Sequence, residues 1–329
     1  MTFDLKEVLV IGVSSRALFD LEHENSIYQQ QDVAAYRRYQ YEQEHKLLGK
    51  GTAFHLVEAL LSLNKLSDER LVEVVVMSKN SPDTGLRILK SIQHYQLDIT
   101  RSAFTGGEPL SPFLHAYRVD LLLTRHSDDA QVAIDTQDCA AALIYDPPAS
   151  YQPDRDKIRI AFDADAVLFS DESEYIYKTE GLERFQQNES DNEDVALPDG
   201  PFAKLVRVLS RLNRKLGVDR SPLRLSIVTA RNGPAHLRVI KTLRQWDVNV
   251  DQAFFLGGMS KEPVLSALRP HIFFDDQPAH LLQASKRVPS SQVPYRSDSQ
   301  IQQLQPVKPK HQTTAETLSK RTTLKQKST

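Results

Sequence analysis

The sequence is poor in the features that would place it outside a reducing interior. Its single cysteine, Cys139, excludes an internal disulfide. Beside Ala140, Ala141 and Ala142 it reads as a small buried hydrophobe, since a catalytic thiol needs a polar, cationic setting. No apolar run approaches the roughly 18 residues that crossing a bilayer takes. Residues 8–13 are apolar but too few for a signal-peptide core, and Asp4 and Glu7 precede them. A cytoplasmic location without membrane contact is therefore expected. Charge of one sign is also missing: the formal net charge is −2, which gives no general attraction to nucleic acid.

What is present is an ordinary globular composition, 40% hydrophobic and 26% charged, over 329 residues, enough for two domains with their own cores. Short β-branched runs at 8–13, 74–77 and 121–123, then at 158–162, 225–228 and 272–274, alternate with helical stretches. Such runs read as parallel strands of an α/β sheet. Prolines and charges interrupt the pattern at DPPASYQPDRDK (146–157), which divides the chain into halves of 1–150 and 151–295.

The halves repeat each other. IGVSSRALFD (11–20) lies over AFDADAVLFS (161–170), VMSKN (76–80) over VTARN (228–232), and AFTGG (103–107) over AFFLGG (253–258). The four matched pairs Leu18/Leu168, Asn80/Asn232, Gly107/Gly258 and Arg118/Arg269 are separated by 150 to 152 residues, so a duplicated α/β unit is expected. Each half carries a polar helical insert, 33–66 and 181–216, ending in an amphipathic helix after Gly51 or Gly200. Such an insert would fold over the sheet edge as a cap, about 171–220 in the second half. From 296 to 329 the chain is rich in Gln, Ser, Thr and Lys without periodicity, and a disordered basic tail is expected.

Chemistry concentrates in RIAFDADAVLFSDESE (159–174). A strand ends at Phe162, and Asp163 and Asp165 follow at the edge where such sheets bind ligands. Further strands deliver Thr229 and the pair Asp275-Asp276, while Lys261 precedes a helix start suited to phosphate. Singly, Thr229 is a plausible helix cap, Lys261 a surface lysine, and Asp275-Asp276 a cap for the helix near Pro278. Together they set acid, hydroxyl, lysine and acid after successive strands.

This order resembles the haloacid dehalogenase superfamily of phosphatases, with its Asp-x-Asp, Thr/Ser, Lys and Asp-Asp motifs. More narrowly, FDADAVLFSDESE, VSSRALFDLE, MSKNSPDTGLRI, ITRSAFTGG and VTARN resemble the cytosolic type I 5′-nucleotidase family, from about residue 8 to 295. Ala164 departs from the glycine usual between the two aspartates. The resemblance implies two Rossmann-like haloacid dehalogenase units and hydrolysis of nucleoside 5′-monophosphates, AMP or IMP and deoxy forms. It implies Asp163 as nucleophile, Asp165 as general acid–base, and Thr229 and Lys261 on the phosphate. Mg²⁺ is implied on Asp163, Asp165 (through its carbonyl), Asp275 and Asp276, because clustered carboxylates facing a phosphate need a cation. Arg231 and Asn232 are candidates for phosphate or ribose. Tyr175, Tyr177 and Phe185 either stack on the base or pack the cap. A phosphatase acting on a sugar phosphate, or a non-enzymatic nucleotide-binding protein, are the competing readings.

In the first half, Val13 and Ser15 align with Asp163 and Asp165, Leu110 with Lys261, and Thr124-Arg125 with Asp275-Asp276. This half is expected to be catalytically silent. Its Ser14, Ser15, Arg16, Lys79, Asn80, Thr124 and Arg125 leave two readings: a packing or homo-oligomer surface, or a metal-free pocket for an effector nucleotide.

Overall fold

The computed structural model describes residues 5 and 7–304. Twelve strands occur among them: β1 (Leu9–Val13), β2 (Phe19–Asp20), β3 (Gly49–Lys50), β4 (Val72–Ser78), β5 (Arg101–Phe104), β6 (Leu121–Thr124), β7 (Ala140–Ile144), β8 (Ile158–Phe162), β9 (Leu223–Thr229), β10 (Gln252–Phe255), β11 (Ile272–Asp275) and β12 (Ser290–Gln292). Ten of these form one sheet in the order β10-β9-β8-β11-β12-β7-β6-β1-β4-β5, while β2 and β3 pair separately. The sheet is two copies of one five-stranded unit, β5-β4-β1-β6-β7 and β10-β9-β8-β11-β12, each parallel throughout. Only the junction, β12 on β7, is antiparallel. The two units therefore point their strands in opposite directions, and their C-terminal edges lie at opposite ends of the sheet.

The α/β architecture and the strands expected at both centres are borne out. β5 and β10 were not legible, being edge strands of mixed composition that are only half-buried or exposed. Neither was β12, whose Ser290 and Ser291 are buried in the sheet although polar. Central strands are buried on both faces, as β4 (VEVVVMS) shows, because helices cover the sheet on each side.

The expected insert of 171–220 divides in two. The helix Glu172–Asp191, broken at Gly181, carries the cap-like part. The helix Ala203–Leu216 instead lies on the sheet, burying Leu205, Val206, Leu209 and Leu212 in the main core, and ends at Gly217 with φ 81°. Its first-half counterpart is Phe54–Ser62. Before each, a glycine crosses the chain at close range: a Cβ on Gly51 would sit 2.6 Å from the Ala17 carbonyl oxygen, and one on Gly200 2.2 Å from that of Phe169.

Cys139 is buried, and burial pushes its thiol up to about 12, in line with a packing role. The tail expectation needs correction at its start. Residues 296–304 are seated on the body: Ile301 is fully buried, Ser299 Oγ donates to Asp171, and Ser297 Oγ donates to Asp135 at 2.6 Å. Single apolar and hydroxyl anchors, too sparse to show as periodicity, hold this segment. The rest of the expected tail, 305–329, lies outside the described residues.

Candidate active site

β8 is flanked by β9 and β11, so the strand order reverses there and a crevice opens at the strands' C-terminal ends. Asp163 leaves β8 with its N–H donating to the Phe274 carbonyl at 2.8 Å. Its Oδ1 accepts from Ala164 N at 2.7 Å, and its Oδ2 lies 2.6 Å from Lys261 Nζ. Lys261 stands at the start of the helix Glu262–Leu268 and also donates to Asp275 Oδ2 at 2.7 Å. Asp275 ends β11, its Oδ1 capped by Gln277 N at 2.8 Å and its Oδ2 3.2 Å from His280 Nδ1. Thr229 ends β9, its Oγ1 accepting from Arg231 N at 3.3 Å. All of Asp163, Thr229, Lys261 and Asp275 are buried.

Burial raises the Asp163 carboxyl, and Asp275 adds to it against the pull of Lys261, leaving it at about 7. Burial acts likewise on Asp275, but Lys261 and His280 outweigh it and hold this acid below its ordinary range. On Lys261 burial opposes the charge, and the two carboxylates overcome it and raise its pKa. Lys261 is thus the positive charge that opposes the effect of burial on both carboxyls.

Asp165 sits in a five-residue turn, 164–168, in which Ala166 takes a left-handed φ of 58°. For a residue with a Cβ that conformation is strained, and the surrounding packing must hold it. The Asp165 carboxylate is gripped bidentately by Arg231, at 2.8 Å from Nε and 2.6 Å from Nη2. Arg231 in turn donates to Glu189 and to the Ala235 carbonyl at 3.4 Å, with its guanidinium 5.4 Å from the Phe185 ring centroid. Glu189, on the Glu172–Asp191 helix, also takes Arg238 Nη1 at 3.0 Å and Ser173 Oγ at 2.8 Å. Arg231, read from sequence as a substrate contact, therefore has its donors engaged within the protein, clamping Asp165 to the cap-like helix. Asn232 is half-buried beside Gly257.

Asp276, next in sequence, makes its side-chain hydrogen bond outside this cluster. Tyr295 Oη donates to its Oδ2, and the same hydroxyl reaches Glu174 at 3.0 Å. Glu174 further accepts from Gln277 Nε2 at 3.0 Å and pairs with Lys178 at 2.6 Å. Burial, with Glu174 and Asp275 nearby, raises the Asp276 carboxyl well above its ordinary value, and its Oδ1 is buried without a partner. Of the four expected metal ligands, the structure gathers the carboxylates of Asp163 and Asp275, joined by His280, with ligand atoms within 4.8 Å of one another. Asp165 turns its side chain to Arg231, leaving only its backbone carbonyl for such a role.

The ring candidates separate. Phe185 lies under Arg231, Tyr175 packs against Ala166, Tyr295 and Ile301, and Tyr177 stays about half-exposed, edge-on to Phe185 at 6.2 Å.

Hydrogen bonding shifts the sequence alignment of the halves. Ser14 N donates to Leu123 O at 2.8 Å, as Asp163 N does to Phe274 O, so Ser14 rather than Val13 occupies the place of Asp163. Between this point and the matched Leu18 and Leu168 the second half has one residue more, the strained turn that presents Asp165. Gly106 N on Asn80 O likewise matches Gly257 N on Arg231 O, which sets Asn80 opposite Arg231 and Ser81 opposite Asn232. Thr124 and Asp275 agree with the alignment, each capping the N–H two residues on, His126 and Gln277.

Glu174, Glu189, Arg238, His280 and Tyr295 were not singled out for a site role. Glu174 closed the quoted motif 159–174, and Arg238 stands 151 residues after Arg87, so the repeat held a signal for both.

A family model described as 5′-nucleotidase matches residues 1–300. A curated relative, cytosolic 5′-nucleotidase 1B of Homo sapiens, is 37% identical over 287 residues, covering 84% of this chain and 47% of its own length. The chain thus spans about half the length of that relative. No solved structure matches it.

Proposed function

The chain belongs to the 5′-nucleotidase family, and from that premise we propose that its second half hydrolyses nucleoside 5′-monophosphates, AMP or IMP and their deoxy forms, to nucleoside and phosphate. The observation that carries this reading is the buried Asp163–Lys261–Asp275 cluster at the sheet's switch point, with Asp165 two residues on and held by Arg231. An Asp163 oxygen attacks phosphorus as the bond to the 5′-oxygen breaks, and Asp165 gives that oxygen its proton. Water then attacks the acyl phosphate, Asp165 takes the water's proton, and the Asp163 carboxylate leaves. Thr229 Oγ1–H and Lys261 Nζ hold equatorial phosphate oxygens as charge redistributes. Arg231 positions Asp165 for both transfers.

Mg²⁺ is the proposed cofactor. Asp163, Asp275 and Asp276, with the Asp165 carbonyl, would hold it, and the buried Asp276 Oδ1, which has no hydrogen-bond partner, suits a cation ligand. Hard oxygen donors favour Mg²⁺ over zinc or copper. When bound, it neutralises the substrate phosphate and polarises its oxygens. Tyr177 keeps the exposed ring suited to a base. The human relative is named cytosolic, and no helix among the described residues is long and apolar enough to cross a membrane; we place this chain in the cytoplasm as well.

A phosphate-release screen over nucleotides and sugar phosphates, with and without Mg²⁺, tests the reading. Fastest turnover on a nucleoside monophosphate, abolished by chelation, is expected. Preference for a sugar phosphate would replace the substrate assignment, and no turnover on any phosphomonoester would end it.

A further inference from the structure

The first half keeps an open crevice where the second half keeps its acids. At the C-terminal ends of β1 and β4 a cavity of about 250 Å³ lies between the sheet and the helices Glu22–Gln30 and Val33–Glu42. Where the second half has Asp163, Asp275 and Thr229 this half has Ser14, Thr124 and Ser78, and the Ser15 and Ser78 hydroxyls, which line the cavity, lie 3.1 Å apart. Arg16, Arg37 and Lys79 line it, and the 13-residue helix Pro82–His94 begins there with Ser81 as its cap. Arg16 Nε is buried without an acceptor. Carboxylates nearby are already matched, Glu24 to Arg87 at 2.5 Å, Asp129 to Lys79 at 2.7 Å and Glu22 to Arg16 at 2.9 Å. On the far wall Tyr28 and Tyr36 meet edge-on at 5.8 Å, and Tyr28 is about half-exposed. Tyr36 Oη donates to Asn80 Oδ1 at 3.1 Å, fixing that wall to the floor.

We propose that this crevice binds a nucleoside monophosphate without a metal and leaves it intact. Hydroxyls and the cations Arg16, Arg37 and Lys79 suffice for a phosphate, and the carboxylates nearby are each held by a basic residue. An exposed tyrosine face beside them takes an aromatic base. No carboxylate stands where Asp163 or Asp165 would act, so the ligand is held and not hydrolysed. Because the two units run in opposite directions, this crevice opens at the opposite sheet edge from the Asp163 cluster. A ligand here cannot touch that site, and any influence as an effector would pass through the contacts between the halves, the β7–β12 junction and the helices packed across it.

The test is calorimetric titration of AMP, adenosine and inorganic phosphate into the full chain in EDTA. Saturable AMP binding is expected in wild type and in Lys261→Met, with Thr229→Val as the second-crevice variant should Lys261→Met not fold. Lys79→Ala with Arg37→Ala should weaken it at least tenfold, and Tyr28→Ala several-fold; Arg37 and Tyr28 are exposed while Lys79 pairs with buried Asp129, so the melting temperature of each variant serves as the folding control. Adenosine and phosphate should each bind at least tenfold more weakly than AMP. No saturable binding at millimolar AMP would overturn the proposal. So would binding that survives the first-crevice variants and vanishes in the second-crevice one. The titration reads without turnover, so it stands or falls separately from the hydrolysis assigned to the second half.

Discussion

The two halves hold their cap-like helices over the sheet with the same tie and differ in what lies beneath. In the first, Arg87 Nε donates to the Lys46 carbonyl at 2.6 Å and its Nη1 reaches Glu24 and Gln40. In the second, Arg238 Nε donates to the Val195 carbonyl at 2.9 Å and its Nη1 reaches Glu189. Under that shared frame the second floor carries three buried aspartates and a lysine, while the first carries serines, a threonine and, at the position of Lys261, the buried Leu110. The difference shows a coupling. Buried carboxylates stay ionised only beside an opposite charge, and a leucine offers none. With Leu110 in that place, an acid at Ser14 or Thr124 would lack the partner that Lys261 gives Asp163 and Asp275.

The largest effect expected separates the floors directly. Asp163→Asn should remove essentially all turnover with the fold intact, because an amide cannot form the acyl phosphate. Ser14→Ala, at the matching place, should leave turnover within a factor of two and cost about 1 kcal/mol of stability, since Ser14 Oγ caps Ala17 N. A mimic of the phosphoryl group trapped on another side chain would refute the role of Asp163. Next, Asp165→Asn should lower kcat by roughly 10² to 10⁴, the usual worth of positioned acid–base help. Retention of more than about a tenth of wild-type activity would remove Asp165 from the proton transfers.

The clamp gives a third contrast. Arg231→Gln frees Asp165 and leaves Glu189 with Arg238 as its one remaining guanidinium, so kcat should fall and stability drop by about 2–4 kcal/mol. Asn80→Ala, opposite it, removes the neutral bond to Tyr36 and should cost about 1 kcal/mol. Equal losses in chemical denaturation would mean that the two clamps are equally structural.

How far the sequence spoke follows from what it could encode locally. β1, β4 and β6 and their partners β8, β9 and β11 were readable because they are buried apolar runs. The acid–hydroxyl–lysine–acid order was readable because each member follows a strand. The register of the repeat was not, since the one-residue excess between Asp163 and Leu168 is absorbed by a strained turn at Ala166 that composition cannot announce. The partners of Arg231 and Asp276 were unreadable for another reason: Glu189 and Tyr295 come from distant segments brought in by the cap-like helix and the chain's last described stretch.

The contrast that leaves turnover untouched lies at the opposite ends of the central strands, where matched residues titrate in opposite senses. Asp120 N donates to Val10 O and its Oδ2 accepts from Val10 N at 3.0 Å; His271 N donates to Arg159 O and its Nδ1 accepts from Arg159 N at 3.2 Å. Burial lowers His271 to about 4, and raises Asp120 above its ordinary value against the Val10 hydrogen bond. For His271 the unfolded chain binds the extra proton between its ordinary value near 6.5 and about 4. Its contribution is therefore complete above pH 6.5 and is lost as pH falls toward 4, by at most about 3 kcal/mol. For Asp120 the folded chain holds the proton longer, so its contribution is present at low pH and fades as pH rises through its elevated value. His271→Asn, which keeps an acceptor that cannot be protonated, should flatten the fall in melting temperature between pH 7 and 5. Asp120→Asn should leave that fall in place or steepen it, having removed an opposing slope. Melts of both variants across that range check the signs, and a His271→Asn curve parallel to wild type would show that this imidazole does not set the acid sensitivity of the second half.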